Sequence, residues 1–174
     1  MTFVGLCTAA KALGMAHCHE QSIETSFAIL VQFGESIPRA TGDESLKRDI
    51  YQMINILQSM TDDAIFGMHE CSDKNTTTLL NVYAGLAHVL HYRQPWQVGS
   101  VSLRMVALTL KSGLSANSPL AFAHFGGVLV TVGRVNEGCR LGESSFSLDN
   151  VIYSSCFSNV QHSLDNRKAI TQTG

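Results

Sequence analysis

Proline is scarce in this chain: Pro38, Pro95 and Pro119 are the three it has, and the stretches between turn signals run at helix length rather than strand length. An all-helical chain is expected. Charge is also low, 15% of residues against the roughly 25% of an average soluble domain, so Ser, Thr, Asn, Gln and His must solvate much of the surface. Twelve Lys and Arg against fourteen Asp and Glu leave a formal net charge of -2, which supplies no field for steering toward nucleic acid or an anionic membrane. The five cysteines, Cys7, Cys18, Cys71, Cys139 and Cys156, show no C-x-x-C spacing, which excludes a disulfide framework and implies reduced thiols in the cytoplasm. No positively charged region leads the apolar start from Met1 to Ala10, so no secretory signal is expected. The apolar run from Leu120 to Val132 is too short for ~30 Å of hydrocarbon and reads as a buried helix.

Chemical motifs are missing too. No glycine is followed by Lys, so the phosphate-cradling loop of nucleotide hydrolases is absent. No dinucleotide-binding turn, nucleophile elbow or zinc-binding helix occurs. His17, Cys18 and His19 lie together, His88 and His91 are a helical turn apart, and His69 stands near Cys71. A metal site needs three or four converging donors, and adjacent helical residues point roughly 100° apart. No metal or other cofactor is therefore assigned. Asp62 and Asp63 follow Thr61 at a helix start, where the positive end of the helix dipole explains them without acid-base chemistry.

What is present is helical periodicity over a chain of 174 residues with 45% apolar content, enough for a sizeable core and too much for extensive disorder. From Asp43 to Met60, Leu46, Ile50, Met53, Ile54 and Leu57 repeat at three-and-four spacing, and Thr41 with Glu44 forms a capping-box pattern. From Thr76 to Tyr92, Leu79, Leu80, Tyr83, Leu86, Ala87 and Leu90 do the same, with Asn75 and Thr76 as a cap in place of a glycosylation site. Pro95 is positioned to open the next helix, which Gly113 closes. Ser118 and Pro119 predict the cap and first turn of a helix ending at Gly133, followed by a return helix from Val135 to about Leu148. Upstream, Thr2 to Cys18 and Ser22 to Ser36 form another candidate pair, with Ile23, Phe27, Leu30 and Val31 as apolar positions before Pro38.

Small residues recur where paired helices would approach one another. Around the turn at Gly133, Phe122, Phe125 and Leu129 fall at large positions, while Gly126, Gly138 and Ser145 fall at small ones. This resembles a tetratricopeptide repeat, and Leu13, Gly14, Ser26 and Leu30 give a poorer second match in which Phe33 stands where a small residue is usual. Residues 39–116 do not hold the register. The expected fold is all-α, antiparallel helix pairs stacked as a short tetratricopeptide-like α-solenoid over residues 1–150, with a poorly patterned tail at 151–174. A general helical bundle is the competing explanation of the small residues.

Met60-Thr61-Asp62, the stretch from Val98 to Leu114, the Phe-Ala-His-Phe-Gly run ending at Gly126 and the segment from Gly133 to Gly142 are together similar to the helical region of large multidomain signalling ATPases. In those proteins a predicted ATPase precedes a long tetratricopeptide-like stretch joined to protein kinase, histidine kinase or nucleotide cyclase domains. The resemblance covers about residues 10 to 148 and implies an interaction or regulatory module in signal transduction. Nothing in this chain corresponds to the ATPase or an output domain, and the pattern is lost from Ser144 onward.

A non-enzymatic module acting on a protein partner or on a second copy is therefore the expectation, with no role for nucleic acid or membrane. Trp96, Phe146 and Ile152 are the candidate contact residues, Trp96 being either an anchor for a partner or a plug at a helix turn. Apolar edges are expected at Phe3, Val4, Leu6 and Leu13 at one end and at Phe146, Leu148, Val151 and Ile152 at the other. An enzyme of unknown class with a site between helices, and a degenerate fragment without independent function, are the alternatives.

Overall fold

Every regular element in the described part of the chain is a helix. The computed structural model describes residues 3–15, 18–36 and 44–150, with side chains described in the first helix for residues 8–10 and 12–15. The helices are α1 (Phe3–Met15), α2 (His19–Gln32), α3 (Glu44–Gln58), α4 (Asp62–Phe66), α5 (Lys74–Arg93), α6 (Val98–Ser112) and α7 (Ser118–Thr131), and a further helix, α8, runs over 135–150. Among the described residues no strand forms, and a single bridge joins Glu70 to Leu114. The expectations at Thr41, Pro38, Phe3, Val4, Leu6 and Ile152, and the tail at 151–174, lie outside the described residues or side chains.

The apolar stripes decide the packing. Leu46, Ile50, Met53, Ile54 and Leu57 of α3 are all buried, as are Leu79, Leu80, Tyr83, Leu86, Ala87 and Leu90 of α5; each set lies on one side of a helix with 3.6 residues per turn. Both α1 and α2 pack on α5, α5 on α6, α6 on α7, and α3 on α6. Tight links reverse the chain between neighbours. At one such reversal Cys71 donates its N–H to the carbonyl of Leu114 at 2.7 Å, and Leu114 donates to His69 at 2.8 Å, which ties the start of α5 to the end of α6. Gly113 completes that turn at φ +97, a conformation that L side chains rarely adopt, and a Cβ there would lie 2.3 Å from the carbonyl oxygen of His69.

Several caps differ from expectation. The carboxylate of Asp73, rather than Asn75 or Thr76, caps α5: it accepts from the N–H groups of Asn75 and Thr76 and from the Thr76 hydroxyl. An ionised acceptor meets the helix N-terminus more strongly than an amide or hydroxyl does. Ser118 lies inside α7, and its hydroxyl accepts from the N–H of Ser115 at 2.8 Å to fix the preceding turn. Pro95 opens a 3-10 turn, Pro95–Gln97, before α6 begins. Thr61 does cap α4, accepting from the N–H of Ala64. In α2 the buried row runs through Ser22, Ile23, Ser26, Ile29 and Leu30, and Val31 is exposed. Serine fits there because Ser22 donates to the carbonyl of Ala10 and Ser26 to that of Ser22, each at 2.8 Å, so both buried hydroxyls are satisfied.

Two helices, α3 and the short α4, stand between α2 and α5 in the chain, and α3 packs on α6. Its C-terminal end is clamped by α8: Arg140 donates to the carbonyls of Leu57 at 3.2 Å and Met60 at 2.6 Å and to the carboxylate of Asp62 at 3.0 Å. A guanidinium there satisfies carbonyl groups that a helix end leaves without intrahelical partners.

Candidate interaction cleft

Helices α7 and α8 meet through glycine. A Cβ on Gly126 would lie 2.8 Å from the carbonyl oxygen of Gly138, and a Cβ on Gly138 would lie 2.6 Å from that of Gly126. Phe122 and Phe125 are fully buried beside this contact, and Ser145 donates to the carbonyl of Pro119 at 2.7 Å. Gly133 turns the chain between the two helices at φ +84. Gly14, by contrast, sits 3.4 Å from Ser22 and Val89 by the same measure, an ordinary contact with no such demand for glycine.

Gly14 belongs to the more open feature of the molecule, a cleft of about 460 Å³ between α1, α2 and α5. Ala10, Gly14 and Gly85 leave it room, Met15, Val82 and Val89 make it apolar, and Asn81 and His88 stand on its wall. Among the described residues, no atom outside the local helix backbone lies within 4 Å of a would-be Cβ on Gly85.

The side of α5 and α7 next to the cleft is rich in imidazole. Asn117 donates its side-chain amide to Asn81 at 2.8 Å, which brings the start of α7 to α5. Seven positions further along each helix stand His88 and His124. Burial holds the His124 imidazole below its usual pKa, and His91 and His88 nearby push it the same way. His88 and His91 both present ring edges to Tyr92, with centroids 5.5 and 5.6 Å away.

A second, polar cleft of about 480 Å³ opens between the end of α2, α3 and α6. It holds the chain's best-formed charged group: Arg104 donates two hydrogen bonds to Glu35, each at 2.7 Å, and the buried Tyr83 hydroxyl donates to the same carboxylate at 2.8 Å. The Arg104 hydrogen bonds hold the Glu35 carboxyl below its usual range. Burial, then the Glu35 bond, pushes the Tyr83 hydroxyl up, and Glu35 does the same to Arg104. These shifts have a closed structural cause, because each group spends its charge or proton on the others.

Other anticipated residues are dispersed. Trp96 is 50% exposed in the 3-10 turn. Phe146 is 74% exposed and lines a shallow groove with Pro119, Leu120 and Ala123, whereas Leu148 is fully buried and forms no edge. Leu13 is partly buried. Among the described residues no cluster of three or more His, Cys, Asp or Glu is arranged to hold a metal ion, and Cys18, Cys71 and Cys139 form no disulfide. No helix among those residues is long and apolar enough to cross a membrane. Reading the sequence alone missed Asn81, Tyr92, His124 and the Glu35, Tyr83 and Arg104 group. No protein-family model, curated protein or solved structure matches this chain.

Proposed function

We propose that the chain is a non-enzymatic helical interaction module that holds a segment of a partner protein in the cleft between α1, α2 and α5. The observation that carries this reading is the cleft itself, apolar, floored by small residues and walled by Asn81 and His88, which is the composition of a pocket that takes an apolar anchor and orients it with a few polar groups.

The module is organised as a short tetratricopeptide-like array with α1 and α2, α5 and α6, and α7 and α8 as its pairs and α3 with α4 as an insert. Support comes from the contact of α1 with α5 as well as with its own partner α2, and from the glycine contact between α7 and α8. Stacked pairs of this kind expose a continuous face suited to extended partners. A role in cytoplasmic signal transduction is part of this reading, supported by the resemblance of residues 10 to 148 to the helical region of signalling ATPases. A second copy is the alternative partner, favoured at Phe146 by its 74% exposure.

The test is selection of peptides from a display library against the full chain, followed by measurement with Gly85→Phe. A Cβ on Gly85 meets no described atom within 4 Å outside the local helix backbone, and the ring beyond it is directed at the cleft that Gly85 lines. Selected peptides should bind the parent and weaken about tenfold or more on the variant, a loss of about 1.4 kcal/mol, while its circular dichroism is unchanged. Equal binding to parent and variant contradicts the reading, as does saturable binding of Mg-ATP in calorimetry.

A further inference from the structure

The groove between α7 and α8 has the form of a seat for one more helix. Pro119, Leu120 and Ala123 line one side of it, and Gly142, Ser145 and Phe146 line the other. Ala123 stands three and four positions after Leu120 and Pro119, and Ser145 and Phe146 stand three and four after Gly142, so each helix offers a single stripe. The two helices run antiparallel here, because Ser145 bonds Pro119 while Gly138 meets Gly126. Leu120 and Phe146 are exposed, and the small residues between them leave about 390 Å³ of space. Asp149, at the edge, is the one charged residue that lines it among the described residues.

Asn150, the last described residue, adjoins Asp149 at that edge. The sequence that follows suits the groove. From Val151 to Leu164 it has no Asp, Glu, Lys or Arg, and charge returns only with Asp165, Arg167 and Lys168. Poorly patterned as a repeat, this stretch still carries Tyr153, Phe157, Val160 and Leu164 at spacings of four, three and four, which in helical form make one apolar stripe. At 1.5 Å per residue such a helix measures about 16 Å from Tyr153 to Leu164, enough to cover the roughly 10 Å of α8 from Gly142 to Asp149. An uncharged segment also enters an apolar groove without stripping water from an ion.

We propose that residues 153–164 fold back as a helix into this groove, laying Tyr153, Phe157, Val160 and Leu164 over Leu120, Ala123, Gly142 and Phe146. The contact closes the apolar end of the molecule with its own chain. Attachment decides between this occupant and a second copy. A segment joined to the edge of the groove by a few residues is present at an effective concentration in the millimolar range, whereas a second copy bears the full translational and rotational cost of association. The contact shares no residue with the cleft between α1, α2 and α5, so it stands or falls independently of what that cleft holds.

Limited digestion of the full chain with chymotrypsin tests this, because Tyr153, Phe157 and Leu164 are themselves cleavage sites. A synthetic peptide of residues 151–174 supplies the unprotected rate. Cleavage after Phe157 should be about tenfold or more slower in the chain than in the peptide, since it follows the population of the open form, and the protection should not change with protein concentration. Phe146→Glu and, separately, Leu120→Glu, both at exposed positions, should bring cleavage close to the peptide's rate while each variant still melts cooperatively. Cleavage of the parent as fast as the peptide overturns the proposal. So does protection that persists in both variants, which puts the segment elsewhere. Protection that grows with concentration, together with dimers in sedimentation, overturns it as well and gives the groove to a second copy.

Discussion

Gly126 of α7 and Gly138 of α8 lie backbone against backbone, each occupying the space that a side chain on the other would need. The next residue along, Gly127, is exposed, with nothing within 4 Å of a would-be Cβ. The two neighbours should therefore answer the same substitution with opposite signs. Gly126→Ala forces the helices apart and should cost about 1–3 kcal/mol. Gly127→Ala removes backbone freedom from the unfolded chain and should stabilise by about 0.5–1 kcal/mol. Thermal melts of the two variants check this; equal melting points contradict close packing at Gly126.

Glu35 should matter to stability more than a surface carboxylate. Glu35→Ala leaves the buried Tyr83 hydroxyl without its acceptor, a loss of about 1–3 kcal/mol, whereas Glu35→Gln keeps an acceptor and should lose less. Because the folded carboxyl is held below its usual pKa, its contribution is present above the unfolded value and is lost as pH falls through the folded value. Urea unfolding of the parent should accordingly show an acid decline below about pH 4.5 that is reduced in Glu35→Gln.

His124 acts in a higher pH window with the opposite chemistry. It is a base whose folded pKa lies below the unfolded value of about 6.5, so the unfolded chain binds its proton first. Stability should fall on acidification from about pH 7.5 to about pH 5.5. The melting-point difference between those two conditions should shrink in His124→Gln. An unchanged difference would place His124 in a solvated setting rather than beside His88 and His91.

Phe146 offers the readout for self-association. If a second copy docks on its groove with Pro119 and Leu120, Phe146→Ala should lower concentration-dependent association in sedimentation velocity and leave the helical signal in place. Parent and variant that both sediment as monomers at all concentrations would remove the second copy from consideration as a partner.

Helices were legible wherever apolar spacing was regular, as in α3 and α5, because burial of one stripe dictates both the element and its orientation. The turn glycines at Gly113 and Gly133 were legible for a local reason: each follows a helix end and takes positive φ. Caps were less so. Asp73, Asn75 and Thr76 all favour helix starts, and the choice among them depends on which acceptor reaches two N–H groups at once. The burial of Ser22 was not legible, because a serine looks like a surface residue until the Ala10 carbonyl it bonds is in place, whereas Ser26 stood at a small position of the second repeat match. Glu35 and Arg104 stand 69 positions apart, a separation at which no local pattern pairs two charges. His88 and His91 were visible as a helical turn, but His124 comes to them from another helix, and no local pattern pairs residues so far apart in the chain. Trp96 was legible only as to its place: Pro95 predicted the turn that carries it, while its type alone did not fix its half exposure.

Amide hydrogen exchange of the full chain, with and without a saturating display-selected peptide, reads the cleft most directly. Occupation of the space between α1, α2 and α5 should slow exchange around Ala10 to Met15 and Asn81 to Val89, the segments that line it, and leave α3 unchanged. Protection confined to α3 or α8, with the segments around Gly14 and Gly85 exchanging as in the unbound chain, would contradict the account.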